Sequence, residues 1–437
     1  MDLPFVAIAL AIYAANPEVV SFSTHDLRSC AAWGICRPNF WGTILTALHM
    51  FRWMAAGVFA LLAVPAFAAP KAALASRTQA TPKPGHVFII VLENEGYRVT
   101  FGRRSPATYL KTLARQGALL PNYYGIGHNS LDNYIAIVSG QAPNPTTQSD
   151  CHNYVDFDSK GTTNDGQAIG AGCIYPPNVL TIVDQLKGLS WKGYMEDMGN
   201  DPKRESATCG QPIVSSPDST QHATPIDQYA GRHNPFIYFH SIVDDAPGCA
   251  AHAVNSSTLT NDLQNEATTP NYAFITPNLC HDGHDAPCAD GQRGGLASAD
   301  KFLKDIVPNI LASPAYKHDG LLIITFDEAD IDVTKKGLKG DASACCHEPR
   351  GPNIGPGAMV FDTIADRGPG IIGPGGGRIG AVLLSPFIKP GTISKTPYNH
   401  YSLLRSIEDF FDVGHLGYAG QAGLRSFGKD IFTAPDK

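Results

Sequence analysis

The chain has 437 residues, of which 43% are hydrophobic and 17% are charged, and its formal net charge is −7. This size and composition allow one large buried core or two ordinary ones, which excludes intrinsic disorder as the default state. Because the chain has neither a basic excess nor a run of Lys or Arg, its composition gives no reason to expect binding to nucleic acid or to an anionic membrane surface.

A candidate export signal occupies residues 50–68. Arg52 lies near its start, an apolar run of secretory length follows, and Ala66-Phe67-Ala68 has the small-x-small pattern of a cleavage site. We therefore interpret residues 1–49 as the product of a misplaced start codon, with a genuine N-terminal extension as the alternative. The signal predicts a periplasmic or secreted protein that keeps no stable membrane anchor after cleavage.

Eight cysteines follow the predicted cleavage site. An even number of cysteines in an exported protein favours disulfides over free thiols, and sequence neighbours such as Cys280 and Cys288 are plausible partners. A zinc site made of four cysteines fits less well, because paired CxxC spacings are missing. The eight are Cys151, Cys173, Cys209, Cys249, Cys280, Cys288, Cys345 and Cys346.

Residues 69–84 are rich in Ala, Pro, Lys and Thr and are predicted to form a linker, after which a single domain spans 85–437. HVFIIVLEN at 86–94 is a continuous apolar run, typical of a buried strand. SPATYLKTLARQG at 105–117 and LDNYIAIVSG at 131–140 have the apolar spacing of helices and end in Gly.

Strands and helices alternate through the rest of the chain. This alternation predicts an α/β layered domain. Long insertions rich in Gly, Pro, Asn and Cys separate the elements around 141–175, 199–232 and 335–376. Strands are predicted at PFIYFH (235–240), NYAFITP (271–277), GLLIITFDE (320–328) and GAVLLSPF (380–387), and helices at 178–188, at 298–313 with an interruption at Pro308, and at 399–412.

Two of the predicted strands end in pairs of polar residues, Glu93-Asn94 and Asp327-Glu328. The carboxyl ends of parallel strands meet at one edge of a sheet, so these four side chains are expected to converge. Carboxylate and amide oxygens are hard ligands that suit a divalent cation. The alternative for each pair is a structural hydrogen bond at a strand end.

Histidines supply a second group of candidates. PNLCHDGHDAPC at 277–288 places His281, Asp282, His284 and Asp285 within five residues. Such residues can bind metal or phosphate, or can protonate a leaving group, although a solvated loop held by a disulfide would have the same composition. His233 precedes PFIYFH, where a single His is commonly structural.

Ser130 precedes the helix LDNYIAIVSG, so it can either cap the helix or act as a nucleophile. The N–H groups and the dipole at a helix N-terminus stabilise an anion there. A serine hydroxyl is a weak nucleophile that a coordinated divalent metal can activate. GPGGGR at 373–378 lacks the Lys-Ser/Thr of a phosphate-binding P-loop and is predicted to be a loop, from which Arg378 could still reach an anion.

Eight motifs in chain order resemble those of the secreted phosphoesterase family that includes bacterial acid phosphatases and phosphatidylcholine-type phospholipases C. The resemblance covers nearly all of residues 85–412, and the order of the motifs makes it specific. The motifs are HVFIIVLEN, HNSLDNYIAIVSG, WKGYMEDM, HNPFIYF, TPNLCHDGHD, LIITFDEAD, GAVLLSPFIKPGT and NHYSLLRSIEDFF.

The resemblance implies a three-layer α/β/α sandwich with a mixed central sheet, similar to alkaline phosphatase, and one divalent metal ion whose identity stays open. Ser130 would be the nucleophile and a ligand of the metal, and His233 and His284 would act on the phosphoryl group or the leaving group. The other metal ligands implied are Glu93, Asn94, Asp327 and Glu328, with Asn94, His128 and Asn129 also contacting phosphate, and Asp285 and His400 in supporting positions.

The implied reaction is phosphomonoester hydrolysis through a phosphoserine intermediate, as in an acid phosphatase, on a phosphate ester substrate. Cleavage of phosphodiesters or of phospholipid head groups by the same site is the first alternative. A periplasmic anion-binding protein without turnover is the second. Neither the natural substrate nor the oligomeric state follows from the sequence.

Overall fold

The computed structural model describes residues 81–334, 337–354 and 375–433, without the side chains of 331–334 and 337–339. The predicted start-codon segment, the export signal and residues 69–80 of the predicted linker lie outside the described residues, as does much of the 335–376 insertion. Within the described part of the chain, no helix is both long and apolar enough to cross a membrane.

A mixed sheet of eight strands forms the centre of the domain. Its strands lie in the order β8–β2–β7–β6–β1–β5–β3–β4, and β7 alone runs antiparallel to its neighbours. The strands are β1 (His86–Leu92), β2 (Ala118–Leu120), β3 (Trp191–Met195), β4 (Ala253–Asn255), β5 (Tyr272–Thr276), β6 (Gly320–Phe326), β7 (Ala381–Leu384) and β8 (Thr392–Ile393).

Short two-stranded pairs lie outside this sheet, and helices cover it. The pairs are Tyr123–Tyr124 with Tyr398–Asn399, Asn153–Tyr154 with Ser216–Pro217, Asp158–Thr162 with Ala168–Ala171, and Ile331–Thr334 with Gly337–Gly340. The α-helices are α1 (Tyr97–Phe101), α2 (Thr108–Gln116), α3 (Ser130–Ser139), α4 (Ile182–Gln185), α5 (His240–Val243), α6 (Ala246–His252), α7 (Leu259–Asp262), α8 (Gly295–Ala312), α9 (Pro314–Asp319) and α10 (His400–Phe410).

The helices form layers on both faces of the sheet. Tyr134 of α3 lies edge-on to Phe274 of β5, with ring centroids 6.2 Å apart. Register places Phe274 on the same face as Ile323, whereas Phe326, three positions further along β6, points to the opposite face. On that face Phe326 lies near Gly283 and α8. Since α3 packs on α10 and α2 on α8, the predicted α/β/α sandwich with a mixed sheet is confirmed.

The continuous apolar runs of the sequence became the central strands. Every residue of β1, β5 and β6 is buried, as expected for strands covered on both faces. These three strands also form parallel neighbours, with β1 between β5 and β6. Their carboxyl ends therefore emerge side by side.

Two predictions of local structure are wrong. PFIYFH is not a strand: Pro235–Tyr238 form a 3₁₀ helix, and α5 starts at His240. A short, fully apolar run does not distinguish a buried strand from a buried helical turn, and Pro235 suits the first turn of a helix. Pro308 does not interrupt α8, because the proline lies on the exposed side while Val307 and Ile310 are packed into the core.

All eight cysteines that follow the predicted cleavage site form disulfides, as predicted, and Cys280 pairs with Cys288 as their proximity in the sequence suggested. The bonds are Cys151–Cys173, Cys209–Cys249, Cys280–Cys288 and Cys345–Cys346. Cys151–Cys173 closes a loop within the 141–175 insertion, and Cys209–Cys249 joins the 199–232 insertion to α6. Closing such loops stabilises the fold mainly by restricting the unfolded chain.

Glu408 is a buried acid of α10, and it makes the stability of the domain depend on pH. Burial raises its pKa to about 8, although its Oε1 accepts a hydrogen bond of 2.8 Å from the N–H of Leu416. The pKa of this carboxyl is therefore higher in the folded than in the unfolded chain. Its contribution to stability is present at low pH and is lost as the pH rises from about 4.5 to about 8.

We expect Glu408→Gln to remove this loss of stability with rising pH, because an amide stays neutral over the whole range. Melting temperatures measured from about pH 5 to about pH 8 should fall more steeply for the wild type than for the variant. Asp305→Asn, which changes a carboxyl that is 63% exposed and pairs with Lys301, is the control and should follow the wild type. Parallel curves for the wild type and Glu408→Gln would contradict the assignment.

Candidate active site

The two predicted ligand pairs meet at the carboxyl edge of the sheet. Leu92 of β1 lies beside Phe326 of β6, so Glu93 and Asp327 follow their strands at neighbouring positions. The N–H of Asn94 donates a hydrogen bond of 3.0 Å to Asp327 Oδ1, which fixes one pair against the other. Both Glu93 and Asp327 are buried.

Ser130 is the first residue of α3, and its side chain contacts Glu93. Its hydroxyl donates a hydrogen bond of 2.5 Å to Glu93 Oε1. The predicted alternative that Ser130 caps the helix is wrong, because its oxygen accepts no bond from the backbone of the first turn. Asp150 takes that role from outside the helix: its Oδ1 accepts a bond of 3.0 Å from the N–H of Leu131.

Glu328 holds the two residues that precede Ser130. Its Oε1 accepts a bond of 3.0 Å from the N–H of Asn129, and its Oε2 contacts His128 Nδ1. Asn129 has a φ of 76°, a left-handed conformation that this contact helps to maintain. Both oxygens of Glu328 are thus engaged by protein groups, whereas Glu93 and Asp327 each keep a buried oxygen without a hydrogen-bond partner.

His233 lies between two acids behind the serine. Its Nε2 is 3.2 Å from Glu93 Oε2 and its Nδ1 is 4.0 Å from Asp282 Oδ2, while its ring stacks on Tyr134. Neither ring nitrogen meets the geometry of a hydrogen bond, and Asp282 Oδ2 also has no partner. Glu93, His233 and Asp282 each offer a ligand atom within 4.8 Å of the others.

Burial and mutual repulsion decide the charge of this cluster. Burial is the largest single influence on Glu93 and would raise its pKa, but His233, Arg232 and His284 together outweigh burial and hold that pKa well below its usual range. Burial, reinforced by the neighbouring Glu93, raises the pKa of Asp282 and of Asp327 well above the usual range. Without further positive charge, such adjacent acids cannot all be ionised. The cluster therefore favours the binding of a cation.

A cavity of about 280 Å³ opens in front of the serine. Seven residues predicted for the site line it: Glu93, Asn94, Asn129, Ser130, His284, Asp285 and Glu328. Four others do not line it: His128, His233, Asp327 and His400 are buried. The predicted site residues thus separate into a group that faces the cavity and a group that supports it from behind.

The histidines of the 277–288 loop take different positions. His284 lies at the cavity with its side chain 54% exposed, and its Nδ1 is 3.8 Å from Asp285 Oδ1. His281 does not line the cavity, and its Nδ1 is 2.9 Å from Glu196 Oε1. The sequence did not distinguish these two histidines, because both belong to the same short polar run.

His400 supports the site through the backbone of Asp327. Its Nε2 donates a hydrogen bond of 2.6 Å to the Asp327 carbonyl oxygen, so the hydroxyl of Tyr123 donates to Nδ1, 3.1 Å away. Burial lowers the pKa of His400 to about 4, which keeps the ring neutral. His400 therefore fixes the end of β6.

The sequence interpretation missed several residues at the cavity, among them Arg232 and Asp150. Arg232 precedes His233, and Asp150 lies beside Cys151 in the 141–175 insertion. Arg232 Nε is 3.9 Å from Asp150 Oδ2. The only signal for Arg232 was its proximity to the HNPF motif, and Asp150 had none.

The chain is similar to a phosphoesterase family and to known phosphatases. The model of the Phosphoesterase family matches residues 99–414. A probable acid phosphatase of Kluyveromyces lactis is 30% identical over 76% of this chain and 59% of its own length. A phosphatidylinositol-3-phosphatase of Mycobacterium tuberculosis is 23% identical over 83% of this chain and 88% of its own length.

The chain spans 43–59% of the length of the acid phosphatases that it matches. Among solved structures, a protein of the alkaline phosphatase superfamily from Vibrio parahaemolyticus aligns with a TM-score of 0.42 at 11% identity. That alignment covers 76% of this chain and 69% of the other.

The capping contact of Asp150 yields a prediction about the helix that carries Ser130. Asp150→Ala should lower the free energy of unfolding by about 1–2 kcal/mol, because it leaves the N–H of Leu131 without its acceptor. Asp150→Asn keeps an acceptor oxygen and suits the left-handed φ of 51° at this position, so it should cost less. Urea unfolding of both variants measures the difference, and equal losses would show that the hydrogen bond does not stabilise α3.

Proposed function

This chain belongs to the Phosphoesterase family, and on that basis we propose that it hydrolyses phosphate monoesters with Ser130 as the nucleophile. The acid phosphatases among its relatives support the reaction class. The phosphatidylinositol-3-phosphatase, whose length the chain nearly spans, supports a monoester as the substrate rather than a diester.

The hydrogen bond between Ser130 and Glu93 is the observation that carries the proposal. The hydroxyl lies at the N-terminus of α3, lines the cavity, and donates at 2.5 Å to a carboxylate whose pKa His233, Arg232 and His284 together hold low. A serine hydroxyl needs such a partner to become a useful nucleophile. The N-terminal end of α3 also favours the negative charge of a phosphoryl group.

The chain's own residues account for the transfer of protons. As Ser130 Oγ forms its bond to phosphorus, its proton passes to Glu93 Oε1, and the bond to the leaving alkoxide breaks. His284, which is exposed at the cavity, is placed to protonate the leaving oxygen. Water then attacks the phosphoserine and gives a proton to His284, the bond between phosphorus and Ser130 Oγ breaks, and Glu93 returns its proton to Ser130 Oγ.

The donor set fits one divalent metal ion, as the sequence predicted. Glu93, Asn94, Ser130 and Asp327 would hold it, since unpartnered oxygens of Glu93 and Asp327 are buried at the site. Glu328 is a weaker candidate ligand because protein groups occupy both of its oxygens. When bound, the ion would lower the pKa of the serine hydroxyl and offset the charge of the phosphoryl oxygens.

The disulfides support a further part of the proposal, namely that the protein works in the periplasm or outside the cell. Four disulfides link the described cysteines, and such bonds persist in oxidising compartments. The predicted export signal would deliver the chain there.

Ser130→Ala should abolish release of 4-nitrophenol from 4-nitrophenyl phosphate, with a loss of kcat of roughly 1,000-fold or more. The matched control is Ser139→Ala at the other end of α3, where the hydroxyl donates only to the carbonyl of Ile135. Ser139→Ala should keep the wild-type rate. Substantial turnover by folded Ser130→Ala would disprove the role of the serine, and a wild type without turnover would favour an anion-binding protein.

Removal of metal should destabilise the protein as well as inactivate it. We expect the purified protein to contain a divalent metal, and treatment with EDTA to lower its melting temperature, because the buried acids Glu93, Asp282 and Asp327 lose their compensating charge. In Asp327→Asn, which removes one of these acids, the effect of EDTA should be smaller. Elemental analysis and thermal denaturation provide the measurements. A wild type that contains no metal and whose melting temperature EDTA does not change would refute the metal site.

A further inference from the structure

Arg232 has an unusual position among the residues that surround the cavity. In the described part of the chain, it is the sole Lys or Arg that lines the cavity. Four carboxyl groups line the same space, those of Glu93, Asp150, Asp285 and Glu328. A site that receives an anionic substrate among so many acids needs a permanent positive charge, and a guanidinium is ionised at every pH of interest.

Two contacts restrict the position of the guanidinium. Its Nη1 donates a hydrogen bond of 3.1 Å to the carbonyl oxygen of Gln221, and its Nε lies 3.9 Å from Asp150 Oδ2. The side chain is only 12% exposed. Restriction of this kind lowers the entropy that the side chain would lose on binding a ligand.

Asp150 connects Arg232 to the nucleophile. One of its oxygens lies beside Arg232, and the other accepts the N–H of Leu131, the residue after Ser130. Burial raises the pKa of Asp150, and the charge of Arg232 is the largest influence that opposes burial. The position of the guanidinium is therefore coupled to the first turn of α3.

We propose that Arg232 binds two phosphoryl oxygens of the substrate and makes the site selective for phosphate monoesters over diesters. This inference rests on the proposed function. A monoester carries a charge of about −1.5 to −2 at pH 7 and presents three free oxygens. A diester carries a single negative charge and presents two free oxygens. The planar fork of an arginine matches two oxygens of the same group, and its charge favours the dianion.

His284 and Arg378, which the sequence suggested as groups that act on an anion, do not fit this role. His284 faces the cavity, but it is more than half exposed and offers a single ring. Arg378, which the sequence suggested as an anion ligand, lies over the ring of Tyr97 at 4.7 Å from its centroid. It lines a different cavity, together with Gly96 and Asp341.

The first experiment compares 4-nitrophenyl phosphate with bis(4-nitrophenyl) phosphate. Arg232→Gln should lower kcat/KM for the monoester by roughly 100- to 1,000-fold, the usual cost of removing a fixed donor to a charged transition state. The loss for the diester should be at least about tenfold smaller, so the preference for monoesters declines. Arg232→Lys keeps the charge but not the planar fork, so its kcat/KM for the monoester should lie between those of the wild type and Arg232→Gln. The kcat/KM values of Arg378→Gln should match those of the wild type.

The second experiment measures binding without turnover. Inorganic phosphate should raise the melting temperature of the wild type and of Ser130→Ala, which retains Arg232. The same phosphate concentrations should raise the melting temperature of Arg232→Gln much less. The melting temperature of Arg378→Gln should rise as much as that of the wild type. Melting curves without phosphate show whether each variant is folded.

The outcomes separate this inference from the proposed function. Equal losses of kcat/KM for the two esters, or undiminished stabilisation of Arg232→Gln by phosphate, would overturn the role of Arg232 and leave the phosphatase intact. A wild type that neither hydrolyses the esters nor binds phosphate would overturn both. If Arg232→Gln fails to fold, the folded Arg232→Lys variant decides the question through its ratio of monoester to diester activity.

Discussion

The parallel register of three central strands is the constraint on which the rest of this structure depends. Because β1 lies between β5 and β6, the residues that follow these strands emerge at one edge, and Glu93 becomes the neighbour of Asp327. The acid Asp282, on the loop after β5, joins them. Hydrophobic burial of the strands thus forces carboxyl groups together at their ends, although the carboxyl groups repel one another.

The position of Ser130 follows from contacts outside its own helix. Asp150 accepts the N–H of Leu131, and Glu328 holds the backbone of Asn129 in a left-handed conformation. The serine side chain is therefore free to donate to Glu93 rather than to cap the helix. A residue that caps its helix uses its oxygen for the backbone, so the transfer of capping to Asp150 leaves the hydroxyl available for chemistry.

The unpartnered acid oxygens of the site and its basic side chains lie in different places around Ser130. The unpartnered oxygens of Glu93, Asp282 and Asp327 suit a cation, whereas Arg232 and His284 lie at the cavity, among the carboxyl groups that also line it, where an anion would enter. In the proposed reaction, this arrangement would separate the partner of Ser130 from the groups that receive the phosphoryl oxygens. It also accounts for why buried acids persist at this edge in place of apolar residues that would pack more favourably.

The central strands, the helix after Ser130 and the four polar residues at two strand ends could be predicted from the sequence alone, because local periodicity and the residues at the end of each run encode them. The prediction for PFIYFH was wrong, because a fully apolar run shows no periodicity that distinguishes a strand from a helical turn. Three features depend on the tertiary structure: His284 faces the cavity while His281 does not, Asp150 rather than Ser130 caps α3, and Arg232 lines the site. These relations involve residues that lie far apart in the chain or in irregular loops. Tertiary packing brings them together, and no local sequence pattern encodes that packing.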